Sequence, residues 1–320
     1  MAIEQELNHA PLGKTSEYPE HYDPSLLFPI PRSVGRQHLS IQPHPTWVGE
    51  DVWRAFEVSW LNPKGKPEIA ILKFTIPADS THIIESKSFK LYLNSFNQEK
   101  IEWNTLIQRL KTDLSRAAGG DVLIEREEAH TPVFDLKTDT LIYPPAHSKL
   151  LPPEAHPATG TTFSEPHHRL VTESALLHAT SLDALDVECH VYEPTASLLR
   201  ADTSRHVREV LTSDLLKSNC PVTSQPDWGT VVISYEGNAI DHASLLQYIV
   251  SYRHHNGFHE QCVEQIYCDI MQQCAPTALE VYARYTRRGG LDINPRRASP
   301  NFVAPGINRF YTQSIKTPRQ

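Results

Sequence analysis

The chain repeats itself, and that limits its fold more than any other property. Ser88, Ser95 and Phe96 recur as Ser244, Ser251 and Tyr252, all at one offset of 156 residues (244 − 88). At the same offset the apolar positions Ile107, Leu110 and Leu114 return as Val263, Ile266 and Ile270. Each half reads strand, helix, helix, strand, which predicts an α+β fold built from duplicated units. With 320 residues, 39% of them hydrophobic, the chain can fill two cores of ordinary size.

In the first half, Val52, Phe56, Val58 and Trp60 alternate with polar neighbours, as do Ala70, Leu72, Phe74 and Ile76. Both runs predict strands with one buried face, joined through turn chemistry at Asn62-Pro63-Lys64-Gly65. Trp103, Leu106, Ile107, Leu110 and Leu114 keep helical spacing, and Gly119-Gly120 stops that helix before the strand Val122-Leu123-Ile124. The run from Glu85 to Asn97 is open. Lys90-Leu91-Tyr92-Leu93 alternates like a strand, yet Ser86 could cap a helix.

In the second half, Leu182 to Tyr192 alternates through Val187, Cys189 and Val191, and Thr230 to Tyr235 is a β-branched strand. Asp241 caps a helix carrying Leu245, Leu246, Ile249 and Val250. After a break at Asn256-Gly257, a second helix runs through Cys262, Val263, Ile266, Tyr267, Ile270 and Met271 until Pro276 ends it. Leu279, Val281, Ala283 and Tyr285 then alternate as a strand that Arg287-Arg288-Gly289-Gly290 closes. From Asp292 the chain reads as a polar tail. The boundaries that follow are an irregular lead-in over 1–45, a module over 46–146, a Pro- and His-rich insertion over 147–178, and a second module over 179–320.

Chemistry concentrates at Asn219-Cys220-Pro221-Val222-Thr223-Ser224-Gln225-Pro226-Asp227-Trp228. Pro221 and Pro226 forbid a helix and push Cys220 and Gln225 towards extended geometry, so a stiff loop brings a thiol and a carboxyl together. The repeats also diverge where they are polar. Glu85-Ser86-Lys87 faces Asp241-His242-Ala243, and Phe258-His259-Glu260 faces Glu102-Trp103-Asn104. One composite site drawn from both halves would leave this pattern.

No apolar run reaches the roughly 20 residues of a membrane span, and the first residues lack a signal-peptide pattern, which predicts a cytoplasmic protein. A formal charge of −8 argues against direct nucleic-acid binding. Five cysteines, an odd number, predict free thiols. Cys189, Cys262, Cys268 and Cys274 lack zinc-site spacing and read as core thiols, so no metal is expected.

These residues bring a family into view. Glu85-Ser86-Lys87-Ser88-Phe89-Lys90-Leu91-Tyr92 matches the signature E-[S/L]-K-[S/A]-x-K-[L/Y]-[Y/F/W] of the NADPH-dependent nitrile reductases of queuosine biosynthesis, the 7-cyano-7-deazaguanine reductases. The Cys220–Asp227 loop, Phe258-His259-Glu260 and Arg287-Arg288-Gly289-Gly290 resemble that family in the same order. The resemblance covers about residue 20 to the C-terminus in the long, two-module form, with no counterpart for the insertion. It implies the tunnelling fold: tandem antiparallel units with helices packed on one face, assembled as a homo-oligomer, a dimer by preference. It also implies that Glu85 to Asn97 is a strand end followed by a helix.

The resemblance further implies roles. Cys220 would add to the nitrile as a thioimide-forming nucleophile, with Asp227 as general acid and His259 beside the reacting centre. Ile84, Glu85, Ser86, Phe258, His259 and Glu260 would bind the 7-deazaguanine, the two glutamates through its N–H edge. Ser86, Lys87, Arg288 and Gly289 would contact NADPH, and no G-x-G-x-x-G stretch predicts a Rossmann domain. Two other readings stay open: a zinc-type cyclohydrolase or pterin enzyme of the same fold, and a non-catalytic purine-binding module.

Overall fold

The computed structural model describes residues 19–39, 47–127, 133–135, 140–142, 179–300 and 302. The insertion read at 147–178 lies outside the described residues. The lead-in carries strand β1 (Pro29–Pro31) and a short helix α1 (Arg32–Arg36). The first unit then runs β2 (Val48–Leu61), β3 (Pro67–Pro77), β4 (His82–Ile84), α2 (Ser86–Asn94), α3 (Trp103–Ala118) and β5 (Leu123–Glu127). A small pair, β6 (Val133–Asp135) and β7 (Thr140–Ile142), follows. The second unit comprises β8 (Thr180–Ser181), β9 (Ala201–Asn219), β10 (Pro226–Ile240), α4 (His242–Val250), α5 (His259–Cys274), β11 (Ala278–Tyr285) and β12 (Leu291–Ala298).

Eight strands form one sheet in the order β5-β3-β2-β12-β11-β10-β9-β8. Every pairing is antiparallel except that of β8 with β9. The halves meet where β12 pairs with β2, from Leu291 opposite Ala55 to Ala298 opposite Val48. Leu291 and Ile293 join the core beneath α2 and α3. Arg297, on the same face of β12, sits opposite Val281 of β11, which belongs to the core beneath α4 and α5. Both helical layers therefore cover one face of one continuous sheet. This is the tandem tunnelling arrangement.

The repeat extends to individual hydrogen bonds. The Tyr92 hydroxyl donates to Asp113 at 2.7 Å, and its counterpart Tyr248 donates to Asp269 at 2.6 Å. Ser95 and Ser251 each donate to the carbonyl three residues back, Tyr92 and Tyr248, at 2.6 Å. Gly119 ends α3 in the left-handed region at φ 64°, and the Asp241 side chain caps α4 through the Ser244 amide at 2.7 Å.

Four expectations need correction. Residues 292–298 are not a tail: β12 is buried along its whole length in the centre of the sheet, and 301 and 303–320 lie outside the described residues. Leu182 to Tyr192 is not a strand; β8 ends at Ser181 and irregular chain follows. The long strand in that region is β9. Alternation placed Val52 and Phe56 on one face with Val58 and Trp60, but a bulge between Ala55 and Val58 turns the strand over. The core face is thus Trp53, Ala55, Val58 and Trp60. Cys262, Cys268 and Cys274 are core thiols, but Cys189 is only half-buried on the irregular chain.

The lead-in, read as irregular, is tied to both halves. Ile30 pairs with Ile83 of β4, and the Phe28 carbonyl accepts from the Glu85 amide at 2.9 Å. Arg36 reaches Glu264 of α5 at 2.8 Å, and Arg32 reaches Asp51 of β2 at 2.6 Å. Arg297 of β12, 0% exposed, completes this cluster through Asp51 and Glu264, both at 2.8 Å. Burial alone would raise both carboxyls, but the Arg297, Arg32 and Arg36 guanidiniums hold them below the usual range.

Candidate active site

Four chain reversals build one pocket at the seam between the halves. Cys220 directly follows β9, and Cys220–Gln225 is the β9–β10 loop, closed by the Cys220 amide on the Gln225 carbonyl at 2.9 Å. Pro226 opens β10 opposite Asn219, an edge-of-ladder position that needs no amide, so Asp227 lies on the strand rather than in the loop. Phe258 precedes α5, which places His259 and Glu260 in its first turn. Between β11 and β12 the Arg288 and Leu291 backbones exchange hydrogen bonds of 2.8 and 3.1 Å around Gly289 and Gly290. Their φ values of 58° and 79° are the reason both positions are glycine.

The fourth reversal joins β4 to α2. Ser86 is the first helical residue and Glu85 the cap: its two carboxylate oxygens accept from the Lys87 and Ser88 amides, each at 2.7 Å. Glu85 is fully buried there, and burial raises its carboxyl above the usual range against those two hydrogen bonds.

Ile84 and Ser86 line the pocket from the first half; Cys220, Asp227, Phe258, His259, Glu260 and Arg288 line it from the second. Three expected residues stand outside its wall. Glu85 caps α2, Lys87 lies one residue further along that helix, and Gly289 sits in the turn beyond Arg288. Lys90 of α2 holds that turn, donating to the Gly289 carbonyl and pairing with Glu57 at 3.2 Å.

Charge is arranged around Asp227, itself 5% exposed. Arg288 Nη1 lies 2.7 Å from its Oδ1, and His259 Nε2 lies 3.4 Å from its Oδ2. Glu260 is different. Burial, with Asp51 nearby, pushes its carboxyl up to about 7, against the opposing pull of His259 and Arg32. Two atoms on the wall residues, Trp53 Nε1 and His259 Nδ1, are buried without a partner among the described residues. A pocket that holds a thiol, a carboxylate, a carboxyl raised by burial and two nitrogens unpaired among the described residues suits a polar heterocycle. Among the described residues, no cluster of three or more His, Cys, Asp or Glu is placed to hold a metal ion.

Comparison with known proteins bears on which heterocycle. The family profile described as nitrile reductase, 7-cyano-7-deazaguanine-reductase N-term, matches residues 18–125. A second, described as QueF-like protein, matches 226–302. A Paraburkholderia phymatum protein named NADPH-dependent 7-cyano-7-deazaguanine reductase is 46% identical over 313 residues, 97% of this chain and 98% of its own. A Burkholderia multivorans protein of the same name is 47% identical over 307 residues, 95% and 98% of the two chains. The chain belongs to the 7-cyano-7-deazaguanine reductase family. A crystal structure of the archaeosine synthase QueF-Like in the apo form covers 31% of the chain at 17% identity, with a TM-score of 0.27, too little to bear on the fold.

Within this reductase-family pocket, sequence reading missed Trp53, Thr286, Leu291 and Ile293. Trp53, Leu291 and Ile293 are apolar residues of the central strands and carry no local mark of a site. The pairing of β2 with β12 brings them to the pocket floor, and β12 was read as tail.

Proposed function

We propose that this reductase-family chain reduces the nitrile of 7-cyano-7-deazaguanine to the aminomethyl group, using NADPH. One observation carries the reading: Cys220 and Asp227 share a pocket with Glu260 and Arg288 at the seam of the two halves. The family separates it from the cyclohydrolase and binding-module readings.

A nitrile carbon is a weak electrophile, and the Cys220 thiol makes it a better hydride acceptor. Sulfur bonds to that carbon, one π bond of the nitrile breaks, and the thiol proton passes through the Asp227 carboxylate to nitrogen, giving a thioimide. When bound, NADPH supplies hydride, and four electrons require two of them, with two protons, per amine. After the first reduction the C–S bond breaks, Cys220 recovers its electron pair and a proton, and the imine stays in the pocket. His259 and Arg288 hold the Asp227 oxygens towards the reacting atoms throughout. Arg288 and Lys87 suit the cofactor's phosphates as cations, and Ser86 lines the same pocket as Arg288. The Lys87 and Ser88 amides are not available for phosphate because Glu85 occupies them. A carboxylate has about four acceptor sites, so Glu85 can cap α2 and still accept from the base beside Glu260. The same reading carries a cytoplasmic homodimer with no direct contact to nucleic acid, consistent with the charge of −8.

Glu260 gives the reading a pH signature. It accepts two N–H groups only as a carboxylate, and its pKa stands at about 7. The KM for the base therefore rises about tenfold per pH unit below that value and levels off above it. Steady-state KM between about pH 5.5 and 8.5 checks this, and Glu260→Gln is expected to flatten the profile; a flat wild-type profile contradicts it.

The reaction is tested by mixing protein, 7-cyano-7-deazaguanine and NADPH and following NADPH loss against product mass. Two NADPH per aminomethyl product is expected. No oxidation, or one NADPH per product, overturns the reading.

A further inference from the structure

Tyr285, the last residue of β11, has no part in the reaction as described. Its ring lies 3.8 Å from that of His259 with 4° between the planes, a parallel stack, and it is 0% exposed. The stack depends on the strand beside it. Tyr285 pairs across the sheet with Gly229, and a side chain there would meet Tyr285 Cδ1 at 3.1 Å and the Arg284 carbonyl at 3.3 Å. The glycine lets the phenol ring settle over β10, two residues from Asp227. The order across the sheet is thus Gly229, Tyr285, His259.

This floor matters because the imidazole has few other restraints. Its Nδ1 is buried with no partner among the described residues, and its Nε2 faces Asp227 at 3.4 Å, long for a hydrogen bond. Hydrogen bonds do not fix the plane of the ring; the stack does. The phenol is a poor proton donor itself, since burial holds it well above its ordinary range.

We propose that Tyr285, seated on Gly229, is a positioning residue that fixes the His259 ring plane so that Nε2 stays on Asp227 during nitrile reduction. The proposal rests on the reductase reading, in which His259 and Asp227 serve the reacting centre. It concerns kcat rather than binding, because Tyr285 is not part of the pocket wall.

The experiment is a double-mutant cycle in the full-length protein, read as kcat, KM for base and NADPH, and thioimide adduct per chain. Tyr285→Phe keeps the ring and is expected to stay within about twofold of wild type. Tyr285→Leu is expected to lose about 10- to 100-fold in kcat, with both KM values within about threefold. Calorimetric titration with the base counts intact sites, so a folding defect appears as lost binding stoichiometry and is divided out of kcat. His259→Ala with Tyr285→Leu is expected to be no slower than His259→Ala alone, because Tyr285 acts through that ring. Independent, multiplying losses would overturn the proposal, as would a Phe variant as impaired as Leu or a Leu variant with wild-type kcat. If wild type itself oxidises no NADPH, the reductase reading has failed; if it does and the cycle is additive, only the role of Tyr285 has.

Discussion

Replacing Cys220 by alanine is expected to stop turnover while leaving the pocket and its affinity for the base in place. The thiol is 4% exposed at the end of β9, and the loop geometry around it comes from its backbone: the amide on Gln225 at 2.9 Å and the carbonyl accepting from Ser224 at 3.0 Å. Alanine keeps both bonds and removes one sulfur atom, so the fold should lose about 1 kcal/mol or less. Without sulfur there is no thioimide, and hydride has only an unactivated nitrile to meet. We expect kcat to fall by at least about 10⁴-fold. Calorimetric titration with 7-cyano-7-deazaguanine should still show non-covalent binding to the variant, weaker than wild type only by the thioimide step it lacks, because the carboxylates proposed to hold the base are untouched. Intact-protein mass should show the adduct on wild type and none on the variant. Turnover within tenfold of wild type would sink the covalent route.

The second large effect is on stability. Arg297→Met is expected to cost on the order of 3–5 kcal/mol, because it leaves Asp51 and Glu264 buried with part of their counter-charge gone. Arg32 and Arg36 remain, but they come from the lead-in, whereas Arg297 joins β12 to β2 and α5 at once. The pH dependence should move too. Both carboxyls are held below their usual range, so their contribution is present above the unfolded value near 4 and is lost as pH falls through the folded value. Removing the guanidinium relaxes that depression, so acid unfolding should begin at a higher pH than in wild type. Denaturant titrations at neutral pH and at about pH 5 measure both. A neutral-pH loss under about 1 kcal/mol would mean that the remaining arginines suffice.

The sequence was most legible where burial has a period. The offset of 156 residues marks the duplicated units because core positions and helix-capping serines are held by packing in both halves, down to the paired Tyr–Asp hydrogen bonds. It failed where burial is achieved by charge. Leu291-Asp292-Ile293-Asn294-Pro295-Arg296-Arg297-Ala298 looks solvated, yet Arg296 pairs with Glu50 and Glu280, and Arg297 with Asp51 and Glu264, which no local pattern reveals. β9 was missed for the opposite reason: Asp202 to His206 is exposed on both faces and carries no alternation. The bulge after Ala55 inverted a strand face because period-2 reasoning has no term for one extra residue. At the site, the motifs named much of the pocket's polar wall, but not Trp53, Leu291 and Ile293 from the central strands, nor that Glu85 caps its own helix.

The place of β12 has a consequence for how the protein is made. The edge of β2 faces solvent until β12 covers it, and the residues that meet there, such as Glu50 and Arg296, are 246 positions apart. On the ribosome, the first half emerges complete except for that neighbour, with β2 paired to β3 on one side and its other edge open from Val48 to Ala55. Nearly the whole chain must be translated before the seam can zip and the pocket floor exist. A nascent chain stalled before Leu291 should thus hold its first helical layer, bind no base, and be the species most prone to pair with its own kind.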